Sequence, residues 1–198
     1  MEIKVDRYIR TRFFVKLNLD RETLEKFSNE MKLSGFNVRS DGGVVMGVKD
    51  EFTFLATEDS LSLEGLDLEK SADRMKELMK VLKDLDVEGI EGSEKGVAID
   101  FEVYSEMPVL KYLSRVYDTN FLRRAKIDGI LIGMKIAVPA MGGEYAFLDI
   151  RTSRDENHFL AFLNYNTRKD MKKLLSFSLR APSITRKLLE KIAKTEKK

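Results

Sequence analysis

Residues 36–65 read FNVRSDGGVVMGVKDEFTFLATEDSLSLEG, and their punctuation decides the fold class. Short runs from Phe36 to Arg39, Val44 to Lys49, Phe52 to Thr57 and Leu61 to Glu64 are separated by Asp41-Gly42-Gly43, Asp50-Glu51 and Glu58-Asp59. Runs rich in β-branched and aromatic residues, bounded by turn formers, read as strands. Parallel neighbours need a crossover of a dozen or more residues, which these connections cannot supply. The stretch is therefore predicted as an antiparallel meander. Gly42-Gly43, like Gly142-Gly143, falls between two strands, so it reads as a hairpin turn and not as a loop cradling phosphate.

Working outward, residues 3–17 alternate over a long, half-buried strand. Ile3, Val5, Ile9, Phe13, Val15 and Leu17 share one face, interrupted by Arg7 and Thr11; Lys4, Asp6, Tyr8, Arg10, Arg12, Phe14 and Lys16 share the other. Asp20 can cap a helix bearing Leu24, Phe27 and Met31, with Gly35 as its stop. Beyond the meander, Ala72, Met75, Leu78, Met79, Leu82 and Leu85 form the apolar stripe of a helix near residues 69–85. Met75 and Met79 sit among leucines and read as core fillers.

Residues 86–96 hold three glycines among acidic residues and read as a linker between two halves, 1–85 and 97–198. The second half repeats the order of the first. Val97 to Val103 is a strand, Ser105 can cap a helix carrying Val109, Leu110, Leu113, Val116 and Tyr117, and Asp118 to Lys126 is a connection or a short second helix. Strands are then predicted over Ile127–Val138, Tyr145–Thr152 and His158–Tyr165. Asn166 or Thr167 can cap a helix reaching Leu179, with Thr167 and Asp170 at capping-box spacing. Pro182 breaks it, and a last helix from about Ser183 carries Ile184, Leu188 and Ile192.

Each half thus reads strand, helix, antiparallel meander, helix. The class is α+β, with helices on one face of a shared curved sheet, as one continuous domain or two. This order of elements resembles the TATA-box-binding protein (a TBP-like topology), in which two such halves form a saddle. It also resembles helix-grip lipid- and ligand-binding domains. The resemblance lies in topology, so no family residue is carried over to this chain.

The counts exclude several chemistries. With 0 cysteines there are no disulfides, cysteine-ligated metals or thiol catalysis, and the 1 histidine, His158, excludes a multi-histidine metal site. No run approaches the ~20 apolar residues that span a bilayer, and the N-terminus lacks a signal peptide's apolar core. The expectation is a cytoplasmic chain that uses no membrane. Absence of glutamine, tryptophan and cysteine beside abundant Lys and Glu points to a thermophilic source.

Catalytic groups are not nominated. His158 with Asp149 and Ser153 is a combination that could catalyse, but a lone histidine after the polar turn Arg154–Asn157 reads as exposed. Asp100 and Glu102 share a strand face, and Glu144 and Asp149 flank another. In a chain with 33 acidic residues such pairs read as solvated surface. No cofactor and no metal site is expected.

Charge is the uneven feature. The formal net charge is only +2, yet residues 1–40 hold nine basic and six acidic residues, 41–106 seven and eighteen, and 107–198 nineteen and nine. The basic residues cluster as Arg10, Arg12 and Lys16 beside Tyr8 and Phe14, and as Arg123, Arg124 and Lys126. Two more groups are Arg168, Lys169, Lys172 and Lys173, and Arg186, Lys187, Lys191 and Lys194. Cations that replace condensed counterions, with rings that stack on bases, suit DNA or RNA. The candidate interface is Tyr8, Arg10, Arg12, Phe14, Lys16, Arg123, Arg124 and Lys126. Lys172 and Lys173 lie at a helix start, where positive charge is unfavourable, and need a partner. The rival explanation is that the acidic segment neutralises the basic ones in the molecule or in a homodimer. The leading expectation is a non-enzymatic nucleic-acid binder. The alternatives are a helix-grip binder of a small apolar ligand and a self-associating structural protein.

Overall fold

The computed structural model describes residues 2–108, 111–112, 133–140, 143–153 and 156–194. They form an α+β protein with a large antiparallel sheet and, among the described residues, four helices. The strands are β1 (Ile3–Lys16), β2 (Asn37–Asp41), β3 (Val44–Lys49), β4 (Phe52–Thr57), β5 (Ser60–Gly65), β6 (Lys95–Ser105), β7 (Gly133–Pro139), β8 (Tyr145–Thr152) and β9 (His158–Thr167). The helices are α1 (Arg21–Leu33), α2 (Leu68–Asp84), α3 (Met171–Ser178) and α4 (Ala181–Lys194). The chain divides into two compact units: residues 1–9, 100–163 and 180–198 make the first, and 10–99 with 164–179 the second. Strands β1, β6 and β9 each give a segment to both.

In the second unit the order is β2-β3-β4-β5-β1, continued by the start of β6 and the end of β9. The meander is antiparallel throughout, with Asp41 opposite Val44, Gly47 opposite Phe54, and Thr53 opposite Glu64. Gly42 and Gly43 both have positive φ, +56° and +87°, which a two-residue hairpin requires and glycine adopts without steric cost. Phe54 is fully buried and meets Phe27 of α1 at 5.5 Å and Phe36 at 5.1 Å. Phe52 lies on the same strand face and takes the Arg74 guanidinium of α2 over its ring at 5.7 Å. Both helices therefore cover one face of the meander. Val44, Met46, Val48 and Leu55 on the other face stay about two-fifths exposed.

The cap of α1 forms as expected, with Asp20 Oδ1 accepting the Thr23 N–H at 2.7 Å. That bond holds the Asp20 carboxyl below its ordinary range. Helix α3 begins later than its sequence suggests. Thr167 is still strand, its side chain buried and its hydroxyl accepting the Lys169 N–H at 3.0 Å. Asp170 is the cap instead, accepting from Lys172 N at 2.8 Å. Pro182 does not delay the last helix to Ser183. It stands second in α4, in the first turn, where its missing N–H would have had no partner.

In the first unit, residues of β1, β6, β9, β8 and β7 follow in that order. Strand β7 covers Gly133–Pro139, so the start of the predicted 127–138 strand lies outside the described residues, as do 113–132 generally. Ser105 pairs its hydroxyl with Tyr112 at 2.9 Å, and Tyr112 packs on Phe159 at 5.1 Å.

Candidate ligand site

The sheet residues singled out by sequence divide between the units. In the first, β1 departs from strict alternation. Arg7 Nε donates to Glu102 at 2.8 Å, whereas the Tyr8 ring lies 6.2 Å from Phe101. Phe101 and Glu102 are neighbours in β6 and point to opposite faces. Asp6 approaches His158 Nε2 at 3.9 Å, and His158 lies 5.4 Å from Tyr104, which shares the Glu102 face. Asp6 and Arg7 thus reach toward the same side of the sheet, whereas Tyr8 lies on the Phe101 side, opposite Arg7. Ile9, expected in the core, is 39% exposed.

In the second unit two of the β1 cations meet acidic partners. Arg12 donates to Glu64 through Nε at 2.9 Å and Nη2 at 2.6 Å. Lys16 Nζ donates to Glu94 at 2.8 Å, which holds the Glu94 carboxyl below its ordinary range. The Phe14 ring lies directly over Gly96, where no other residue would leave room for it. Arg10 is exposed but has an interaction of its own. Arg123, Arg124 and Lys126 lie outside the described residues.

The His158 constellation does not assemble. Asp149 pairs with Arg151 at 2.6 Å, and Ser153 Oγ donates to Glu102 at 3.1 Å. Among the described residues no group of three acidic or histidine side chains could hold a metal ion.

What sequence reading missed is an open cavity of about 860 Å³ at the surface of the second unit, where Lys76, Lys80, Lys83 and Lys172 are exposed. Its size falls within the usual range for small-molecule sites. Lys76, Lys80 and Lys83 of α2 line it, at spacings that put them on one side of the helix over ~10 Å of axis. Facing them are Met171, Lys172 and Leu175 of α3 with the cap residue Asp170; Ile90, Glu91 and Lys95 complete the wall. Met79, Ile90, Met171 and Leu175 supply apolar surface.

The charges are unevenly satisfied. Lys76 meets Asp73 at 2.7 Å, and Lys83 reaches Glu91 at 3.8 Å. Lys95 is 1% exposed, and its Nζ donates to the carbonyls of Glu91 and Ser93, each at 2.9 Å. Burial pushes the Lys95 ammonium below the usual lysine range, against the attraction of Asp170 and Glu91. Among the described residues, the ammonium groups of Lys80 and Lys172 meet no carboxylate. Five ammonium groups thus line the cavity against two carboxylates. Lysine at a helix start was the available signal, because Lys172 needed a partner; its position opposite α2 is tertiary and leaves no trace in local sequence.

No protein-family model and no curated protein matches this sequence. Among solved structures, the ligand-free regulatory subunit of aspartate kinase from Thermus thermophilus is similar over 97% of this chain and 97% of that chain, at 9% identity and a TM-score of 0.26. A structure of aspartokinase alpha and beta subunits is similar over 93% of this chain and 98% of that chain, at 11% identity and a TM-score of 0.23.

Proposed function

We propose that the protein is a non-enzymatic binder of a small amphipathic anion, held in the cavity between α2, the 90–95 segment and α3. The observation that carries this reading is the lining itself: four apolar side chains among five lysines and two carboxylates. Apolar surface supplies affinity, and a few placed charges fix orientation. A neutral apolar ligand, as in the helix-grip alternative, would leave the cation excess unanswered.

The test uses 1-anilinonaphthalene-8-sulfonate, an apolar anion whose fluorescence reports binding. One saturable site is expected, displaced by octanoate but not by octylamine. Reversing Lys80→Glu and Lys172→Glu together should weaken binding by about tenfold or more, the scale of losing two charge-assisted contacts. Binding that is unchanged in this variant would remove the reading.

Nucleic-acid binding through β1, with the TBP-like topology expected from element order, is a second proposal. It is supported by exposure: the Arg12 side chain is 50% and the Lys16 side chain 63% accessible. An exposed pair such as Arg12–Glu64 is worth only ~0–1 kcal/mol, so a phosphate can compete for the guanidinium. Log affinity for DNA or RNA should then fall linearly with log salt, and Arg10→Ala with Arg12→Ala should flatten the slope. No association at low salt would end this proposal.

A further inference from the structure

We infer that the cavity is built for a phosphate monoester carrying a flexible apolar body, a conclusion that rests on the amphipathic-anion reading. Lys76 is answered by Asp73 and Lys83 by Glu91, while Lys95 spends two of its donors on backbone carbonyls and lies in the field of Asp170. Lys80 and Lys172 remain, one from each facing helix, with no carboxylate among the described residues.

Two unanswered ammonium groups match a dianion. A carboxylate brings one negative charge, whereas a phosphate monoester carries nearly two at pH 7, because its second pKa is about 6. It also offers three acceptor oxygens, enough to bridge two lysines from opposite sides. Lysine suits that role as a compact cation with rotatable donors.

The apolar part of the ligand follows from the floor. Met79 and Met171 come from the two facing helices, with Leu175 and Ile90 beside them. Methionine side chains are unbranched and adapt to irregular shapes, so the surface fits a flexible chain and does not demand one rigid ring. The buried Lys95 in the wall adds a positive charge that acts over distance, because it sits in a poorly solvated place.

The experiment is calorimetric titration of the full chain with octyl phosphate, octanoate and inorganic phosphate, with co-sedimentation on phosphatidate-containing vesicles as a fourth arm. Octyl phosphate should bind about tenfold or more tightly than octanoate, as expected for one added charge-assisted contact. Its advantage should shrink as pH drops below about 6, where the phosphate becomes a monoanion. Lys80→Met with Lys172→Met should erase the advantage, whereas Lys187→Ala on α4 should leave it intact. The melting temperature of each variant confirms that it is folded.

Three results would overturn the inference while leaving the broader reading in place. These are octanoate binding as tightly as octyl phosphate, an advantage that persists in the double variant, and capture by vesicles without binding of the free ester. Inorganic phosphate binding as tightly as octyl phosphate would show that the apolar floor is not used, and would also overturn it. If neither octyl phosphate, octanoate nor the fluorescent sulfonate binds, the cavity reading falls together with the inference.

Discussion

Arg7 and Thr11 interrupt the apolar face of β1 in sequence, and the structure resolves the two in different ways. Arg7 leaves the expected apolar face and reaches Glu102, an outcome that strict period-two alternation does not contain. Thr11 keeps the core face. It is fully buried, and among the described residues its hydroxyl has no hydrogen-bond partner. Burying an unsatisfied hydroxyl costs about 1–3 kcal/mol, and valine has nearly the same shape without it. Thr11→Val should therefore stabilise the protein by about 1 kcal/mol, or ~2–4 °C in melting temperature for a chain of this size. A variant less stable than the parent in denaturant titration would show that the hydroxyl is satisfied in solution. Phe14 teaches the same lesson about residues. Its ring looked free for stacking on a base, yet it lies over Gly96 of the next strand, a pairing that only strand order reveals.

At the scale of elements, the parts that sequence predicted well are those whose reasons are local. The β2–β5 meander follows from its turn residues, and α1 from Asp20 and a helical apolar spacing. Helix α2 starts and ends within a residue of its expected bounds. The start of α3 is ambiguous in sequence because Thr167 and Asp170 both satisfy capping chemistry; Tyr165, packed on Phe177 at 4.6 Å, belongs to a strand that runs through Thr167. The segment before β6 shows what a local reading leaves out. It looked like a glycine-rich linker, but Lys95 ties it down through the carbonyls of Glu91 and Ser93. Burial lowers the Lys95 pKa, so in the alkaline range below the ordinary lysine value the unfolded chain binds more protons than the native one. This group's contribution to stability therefore rises with pH across that window. Lys26 acts in the opposite sense, since its bond to Glu22 raises its pKa and its contribution is lost as pH climbs. The difference between the parent and Lys95→Met isolates the first effect. The parent should gain stability relative to the variant as pH rises through the window, and parallel pH profiles would show that Lys95 is not desolvated in solution.

For the whole molecule, the charge segregation seen in sequence finds part of its answer inside each unit. Arg7, Arg12 and Lys16 from the basic N-terminal segment meet Glu102, Glu64 and Glu94 from the acidic middle one. Around the cavity, Lys76 and Lys83 of α2 are likewise paired, but among the described residues the ammonium groups of Lys80 and Lys172 meet no carboxylate, which is why the candidate site lies at the helices and not on the sheet. The units themselves are not consecutive stretches of chain. The second unit takes Tyr165, Leu174, Leu175 and Phe177 from residues 164–179, and all four are at most 3% exposed. Burying each such side chain is worth about 1.5–3 kcal/mol. Their combined loss is comparable with the ~5–15 kcal/mol that separates a typical folded domain from its unfolded state. A chain ending after Leu163 should therefore lose the amide-exchange protection of β3, β4 and β5, although every residue of that meander is still present. A chain ending after Leu179 lacks α4 but keeps the second unit whole, and should retain protection at Val45, Phe54, Leu61 and Leu63. Equal protection in the two shortened chains would mean that the meander with α1 and α2 is stable without α3. The facing wall of the cavity would then be an addition to the unit and not a part of its core.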